Sequence, residues 1–492
     1  MAQYILAIDQ GTTGTTCLVV DKKMAIKAKV SQELRQIYPK AGWVEHNLEE
    51  IWQSVEGAVG AALRTAGIKP TQIAAIGITN QRETTGIWDR RTGKPIYNAI
   101  VWQCRRTADD CRALKEQGKE RFVRERTGLV LDPYFSATKV RWLLEHVKGA
   151  RARAERGDLA FGTIDTFVTW RLTGGAAHVT DVTNASRTLL FNIKKLAWDP
   201  ALCELFWAPQ ALLPEVKASS EVYGTTKGLS FLPDGIPIAG IAGDQQAALF
   251  GQACFGVGES KCTYGTGAFL LMNIGAKPII SKRGLLTTLA WKLGDEVAYA
   301  LEGSAFIAGA AVQWMRDGLG MVKEAPEIET LARTVKSSGN VVFVPALVGL
   351  GAPHWRPEAR GLLAGISRDT TSGHLARAVL EGIGFQVYEL AEAMRADTGL
   401  DIPTFKVDGG ASANDLLMQF QSGLLGAPVV RPKMLETTAF GAAFLAGLAT
   451  GVWHSKEEIR RSWRSGKRFA PRMSEAEREH HLGKWRRAVK AA

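Results

Sequence analysis

Three short apolar runs in this chain end on an aspartate set beside glycine. Tyr4 to Ile8 leads into Asp9-Gln10-Gly11-Thr12-Thr13-Gly14-Thr15-Thr16, and Ile236 to Ala242 into Gly243-Asp244-Gln245-Gln246. The third, Phe405-Lys406-Val407, leads into Asp408-Gly409-Gly410-Ala411-Ser412-Ala413-Asn414. A further turn, Thr263-Tyr264-Gly265-Thr266-Gly267, has the glycine and threonine content without the acid. Any one of these is an ordinary turn; three acid-bearing ones spread over both halves point to a shared task. Backbone N–H groups of such turns form anion concavities that need no basic side chain, and the hydroxyls of Thr12, Thr13 and Thr266 add donors. Asp9 can hold Mg²⁺ through water. The parts suit a polyphosphate and its metal lying between two halves. Asp244, preceded by glycine and flanked by apolar runs, is costly to bury without partners, which makes it a candidate for chemistry.

Other chemistries are excluded by what is missing. There is no Gly-Lys-Ser/Thr of a P-loop, no Gly-x-Gly-x-x-Gly and no His-Glu-x-x-His. Gly410-Ala411-Ser412-Ala413-Asn414 lacks the second glycine of a hydrolase elbow. The six cysteines form no Cys-x-x-Cys pair, which argues against structural zinc.

The elements that must carry these turns read as α/β layers. Tyr4–Ile8 and Cys17–Val20 are a strand and its return around the first turn, and Ile73–Ile78 and Val341–Val344 are further strands. Helical periodicity marks Leu48–Ala66, Ser136–Val147, Ser372–Met394 and Leu416–Leu425, and a short apolar helix over Ala247–Phe250. The repeated device predicts two similar halves, residues 1–251 and 252–492, with the boundary near Gly251 to Gly258. At 492 residues, against ~100–200 per domain, more than one core is required. Hydrophobic residues are 46% and charged residues 22%, a packed globular composition.

From Lys456 onward, twelve basic against five acidic residues carry +7 of the net +12. Without aromatic interleaving this reads as the solvated face of a C-terminal helix, Met473 to Val489, and not as a nucleic-acid site. The longest near-apolar run, Ala439 to Trp453, is too short to span ~30 Å of hydrocarbon. A cytoplasmic protein with reduced thiols and no membrane span is expected.

Seven segments, in order, resemble the glycerol-kinase branch of the FGGY carbohydrate kinases. They are Asp9-Gln10-Gly11-Thr12-Thr13, Asn80-Gln81-Arg82-Glu83, Trp102-Gln103-Cys104-Arg105, Asp132-Pro133-Tyr134-Phe135, Gly243-Asp244-Gln245-Gln246, Tyr264-Gly265-Thr266-Gly267 and Asp408-Gly409-Gly410. The resemblance runs from about residue 4 to about 455. It implies two ribonuclease H-like domains of the actin and hexokinase type, closing on ATP and a polyol in a central cleft. It also implies the reaction of ATP with glycerol to give ADP and glycerol 3-phosphate.

Matched by position, it places Arg82, Glu83, Trp102, Tyr134, Asp244, Gln245 and Phe269 around glycerol. It places Thr12, Thr13, Gly14, Thr266, Gly309, Gln313, Gly410 and Asn414 around the nucleotide. Three hydroxyls on three carbons do call for paired donors and acceptors, and the C–H face for aromatic walls. By residue type alone, Arg82-Glu83 also reads as a surface ion pair, and Trp102 and Phe269 as core aromatics. Many relatives have arginine where this chain has Thr16. Phosphoryl transfer then casts Asp244 as general base, with Mg²⁺ near Asp9. A homodimer or tetramer is expected from the same resemblance. The rivals are a kinase of a pentulose or gluconate, and an actin-like or heat-shock-type ATPase whose nucleotide drives partner binding.

Overall fold

The computed structural model describes residues 3–492, and two mixed sheets carry its architecture. The first is built from β1 (Tyr4–Gln10), β2 (Gly14–Asp21), β3 (Ile26–Glu33), β4 (Ile73–Asn80), β5 (Ser220–Thr225) and β6 (Pro237–Gly243), in the order β5-β6-β4-β1-β2-β3. The second uses β7 (Ser260–Tyr264), β8 (Ala268–Gly275), β9 (Leu286–Leu293), β10 (Glu296–Ala305), β11 (Phe405–Asp408), β12 (Val429–Pro432) and β13 (Ser465–Phe469), in the order β9-β10-β8-β7-β11-β12-β13. In each sheet the strand before the Gly/Thr turn pairs antiparallel with the strand after it and parallel with a later strand on its other side. This is the duplicated ribonuclease H-like plan of the actin and hexokinase type. It puts the β1–β2 and β7–β8 turns in equivalent places.

The helices that position the site are α1 (Leu48–Ala66), α2 (Asp244–Gly251), α3 (Ser372–Thr398), α4 (Asp415–Leu425), α5 (Thr437–Ala449) and α6 (Glu475–Ala491). Period-2 alternation explains how the first sheet takes a layer on each face. Leu6, Ile8, Cys17, Val19, Ile76 and Ile78 pack with Ile51, Val55 and Val59 of α1. The intervening Ile5, Ala7, Leu18, Val20 and Ala75 pack with Phe440, Ala443 and Phe444 of α5, a helix from the far end of the chain. Asn47 caps α1, its side chain accepting from the Glu49 and Glu50 N–H groups, and Gly67 ends it in the left-handed region.

Backbone touches backbone where α5 crosses the first sheet and α2. A Cβ on Gly77 would lie 2.2 Å from the Ala442 carbonyl oxygen, and one on Gly441 would lie 1.9 Å from that of Ala247. The long apolar run at Ala439 to Trp453 is therefore a buried joint between the halves. Among the described residues no helix is long and apolar enough to cross a membrane.

Most expected elements stand within a few residues of their observed limits. The helix expected from Ala247 instead begins at Asp244, so that aspartate sits in a first helical turn beyond the strand. In the basic C-terminal segment, β13 joins the second sheet, and α6 buries Leu482 and Trp485, the latter stacked on Phe385 at 5.0 Å. Arg486, Arg487 and Lys490 face solvent.

Candidate active site

β4 delivers Arg82 and Glu83 to the cleft just beyond its last residue, Asn80. Both are buried, so the surface ion pair that their types allowed is not what forms; their own closest contact, Arg82 Nε to Glu83 Oε1, is 3.8 Å. They are tied instead through two further charges. Arg82 donates to both oxygens of Glu302, at 2.5 and 2.9 Å, while Arg187 Nε donates to Glu83 at 2.6 Å and Arg187 Nη2 to Glu302 at 2.9 Å. Burial opposes the charge on Glu302, yet Arg187 and Arg82 hold its carboxyl at about 2. Burial pushes the Glu83 carboxyl up, against the pull of the same two arginines. Glu83 has φ +60°, a strained backbone costing ~1–3 kcal/mol in general, and Ser136 Oγ holds its carbonyl at 3.0 Å. Arg187 Nη1 is buried with no protein acceptor.

Asp244 stands opposite. The expectation of a buried acid is corrected here: its side chain is 33% exposed, because it occupies the first turn of α2 and not the end of β6. Oδ1 accepts from the Gln245 N–H at 2.7 Å and faces Arg82 Nε at 3.2 Å. Tyr134 takes a hydrogen bond from Arg82 Nη2 at 3.3 Å, and burial raises its phenol well above the ordinary value, so it stays protonated. Trp102 packs edge-to-face on Tyr134 (5.6 Å between ring centroids) and on Phe269 (6.5 Å), and this last contact joins the two halves. These contacts bring the charged groups and three aromatic rings together in one chamber-like cluster.

The first Gly/Thr turn forms the adjoining wall. Trp102 Nε1 donates to Thr12 Oγ1 at 2.9 Å, and Gln36 Nε2 donates to the Thr12 carbonyl at 2.7 Å. Behind Gln36, His46 Nε2 donates to its side-chain oxygen (2.8 Å) and Gln81 Nε2 donates to His46 Nδ1 (3.3 Å). Burial holds this imidazole neutral, with its pKa down at about 4. Thr13 is exposed, and a Cβ on Gly14 would fall 2.5 Å from the Gln32 carbonyl oxygen, so only glycine closes the turn. Thr16 hydrogen-bonds Ser31 across β2–β3 at 2.8 Å.

In the second half Thr266 is exposed at the tip of its turn, and its carbonyl accepts from Ala308 and Ala310 at 2.8 and 3.1 Å. Gly309 N donates to the Gly265 carbonyl at 2.9 Å, and a Cβ on Gly309 would meet that oxygen at 2.6 Å. Gln313 is exposed, as is Gly410, around which a Cβ would meet open space. Asn414 caps α4, its side-chain oxygen accepting from the Leu417 N–H at 2.9 Å.

Asp9, at the end of β1, pairs across the sheet with Thr16 and Thr79. Burial, then the Asp244 and Glu436 carboxylates, push its carboxyl up to about 8, with Lys29 pulling the other way. A buried carboxyl raised by neighbouring carboxylates in this way suits a cation. No group of three or more His, Cys, Asp or Glu side chains gathers at one point among the described residues.

Glu302, Arg187, Lys261, His46 and Glu436 were not singled out from sequence. A charge inside an apolar strand, as in Tyr299-Ala300-Leu301-Glu302, was the available signal.

The N-terminal domain of the FGGY family of carbohydrate kinases matches residues 4–251 and its C-terminal domain residues 260–450. The chain is 63% identical over 493 residues to a glycerol kinase of Myxococcus xanthus, covering 100% of this chain and 99% of that one. It is 57% identical over 490 residues to a glycerol kinase of Paraburkholderia phytofirmans, covering 100% and 98%. Among solved structures, a Plasmodium falciparum glycerol kinase with ADP superposes with a TM-score of 0.93 at 36% identity, covering 99% of this chain and 98% of that one. A gluconate kinase of Lactobacillus acidophilus shares the fold, with a TM-score of 0.89 at 24% identity over 99% and 97% of the two chains.

Proposed function

The chain belongs to the FGGY family of carbohydrate kinases, and we propose that it transfers the γ-phosphoryl group of ATP to glycerol, giving sn-glycerol 3-phosphate and ADP. The relatives at 57–63% identity support the glycerol branch. The observation that carries the reading is the chamber itself. Arg82, Glu83, Asp244 and Gln245 offer donors and acceptors for three hydroxyls, while Trp102, Tyr134 and Phe269 leave apolar faces for three carbons.

In this reading Asp244 is the general base. Its exposed carboxylate accepts a hydrogen bond from the attacking hydroxyl and takes the proton late, since a loose transition state needs alignment more than a strong base. Arg82, beside it, keeps the carboxylate oriented. Thr12, Thr13 and Gly14 on one side, with Thr266, Gly309, Gln313, Gly410 and Asn414 on the other, hold ATP between the halves. Asp9 would hold Mg²⁺, which would supply charge compensation at the phosphoryl oxygens. Residues 1–251 form the half that carries most of the polyol site, and 252–492 the half that carries most of the nucleotide site. We further propose a cytoplasmic homo-oligomer, a dimer or tetramer.

ADP formation with glycerol, dihydroxyacetone, xylulose and gluconate tests the reading. Glycerol is expected to give the highest kcat/KM. Propane-1,2-diol, which keeps a primary hydroxyl but lacks the third, is expected to be far poorer, because it leaves buried groups unpaired. A higher kcat/KM for xylulose or gluconate would remove the glycerol assignment. ADP formation that no polyol raises above the water background would favour an ATPase that drives partner binding.

A further inference from the structure

Two charged side chains of the second sheet stand under the polyol chamber without being part of its wall. The strand register puts Lys261 on β7, Leu271 on β8 and Glu302 on β10 directly opposite one another, and Thr263, Phe269 and Ser304 form the next row. Residues directly opposite in antiparallel strands, and residues two apart along a strand, share one face. The face that supplies Phe269 to the chamber therefore also carries Lys261 and Glu302.

Both charges are completely buried, and each reaches across to a group of the first half. Glu302 accepts two hydrogen bonds from Arg82 and one from Arg187. Lys261 Nζ donates to Gln245 Oε1 at 2.5 Å and to Thr263 Oγ1 at 2.9 Å. Burying an ammonium and a carboxylate is costly, and replacing them with apolar residues of similar size is often neutral or stabilising. Stability of the sheet is a weak reason to keep them.

Their chemistry supplies a better one. An ammonium only donates, so Lys261 turns the amide oxygen of Gln245 toward itself and leaves the amide N–H groups as the free end. A carboxylate only accepts, so Glu302 takes the Nη1 and Nη2 edge of Arg82 and leaves Nε beside Asp244. We infer that Lys261 and Glu302 are positioning residues which set the hydrogen-bond polarity of the polyol chamber, Lys261 through Gln245 and Glu302 through Arg82. The second half thus decides which atoms of the first half donate to glycerol and which accept. The inference rests on the reading of this chamber as the glycerol site.

Steady-state kinetics of the full chain with glycerol and with propane-1,2-diol, ATP varied separately, test it in Lys261→Met, Lys261→Gln and Glu302→Gln, with thermal melting to confirm folding. Lys261→Met, which has no donor, should raise KM for glycerol by about tenfold or more and narrow the preference for glycerol over propane-1,2-diol. KM for ATP should stay within about twofold of wild type. Lys261→Gln retains an N–H donor and should recover part of the glycerol KM. Glu302→Gln should act in the same direction with a larger change, and if it fails to fold the two Lys261 variants decide alone. Equal effects of Met and Gln at 261, an unchanged glycerol preference, or a rise in KM for ATP matching that for glycerol would each overturn the inference while leaving glycerol phosphorylation by the wild type intact. Absence of glycerol phosphorylation by the wild type would overturn the proposed function and this inference with it.

Discussion

Arg82, Glu83 and Gln245, on the proposed polyol side of the cleft, are each more than nine-tenths buried, whereas Thr13, Thr266, Gln313 and Gly410, on the proposed nucleotide side, are exposed. The polyol side is held by charge: the buried side chains of Arg82, Glu83, Arg187 and Glu302 interlock there, and Glu83 itself sits at a φ of +60°. The nucleotide side is held by backbone, through turn carbonyls and N–H groups at Gly265, Thr266 and Gly309. A three-carbon polyol has few atoms with which to organise a site, so the protein must hold the chamber in its binding form beforehand. A nucleotide brings charge and length of its own, and backbone turns left open to solvent suffice.

The severest way to test this contrast is to remove Asp244, the chamber carboxylate that is partly exposed. Asp244→Asn should lower kcat by ~10²–10⁴, the usual worth of a positioned acid-base group, while nucleotide affinity stays close to wild type. Single-turnover phosphorylation and nucleotide titration of the folded variant check it. Turnover within about threefold of wild type would remove Asp244 from the base role.

Asp9 lies where the two sides meet and should show a pH signature that neither side has alone. Its carboxyl is raised to about 8 from an ordinary 3.8. Between those values the folded state holds a proton that the unfolded chain has lost, so this group's contribution to stability falls as pH rises from about 4 to about 8. Asp9→Asn cannot lose that proton. The nucleotide-free variant should therefore gain in Tm relative to wild type as pH rises across that window, at ~2–4 °C per kcal/mol for domains of ordinary size. Its kcat/KM for Mg-ATP should fall by roughly 10–100-fold, with glycerol affinity in the absence of nucleotide preserved. Calorimetric titration with glycerol separates these, and loss of glycerol binding would move Asp9 into the chamber.

The same contrast decides what was legible in the sequence. The turns of the backbone-built side were readable as turns, because a strand, a Gly/Thr cluster and a returning strand announce themselves by residue type, whereas Gly309 and Gln313 came only with the family resemblance. The chamber was readable only in part. Arg82 and Glu83 are adjacent in sequence and look like partners, yet each is bound to a charge more than a hundred residues away, at Glu302 and Arg187. Periodicity cannot pair residues across that separation. The lodging of α5 on the first sheet was hidden for the same reason, since an all-round apolar helix with Gly441 shows that it is buried but not against what.

On the nucleotide side a smaller change should have a selective effect. Gly309→Ala puts a methyl 2.6 Å from the Gly265 carbonyl oxygen, so the turn carrying Thr266 must shift. KM for ATP should rise by roughly five- to a hundredfold, on the order of the 1–3 kcal/mol that overpacking costs, with KM for glycerol unchanged. A parallel rise in both constants would mean that the two sides are coupled through this turn.

The smallest expected effect concerns Thr16. Its hydroxyl is engaged with Ser31 at 2.8 Å, in a contact open to solvent, and so is not reserved for phosphate. Removing an exposed hydrogen bond of this kind usually changes stability by no more than ~0.5–1.5 kcal/mol. Thr16→Ala should therefore leave KM for ATP within about twofold of wild type. Thr16→Arg places a guanidinium at the start of β2, two residues beyond Gly14, where it adds a charge that this backbone-built side otherwise lacks. If backbone donors already satisfy the phosphates, Thr16→Arg lowers KM for ATP by less than about threefold, and any gain fades as salt screens the added charge. A tenfold or larger gain that persists at high salt would show that the turns alone leave the nucleotide short of a partner, and the contrast between a charge-held and a backbone-held side would have to be redrawn.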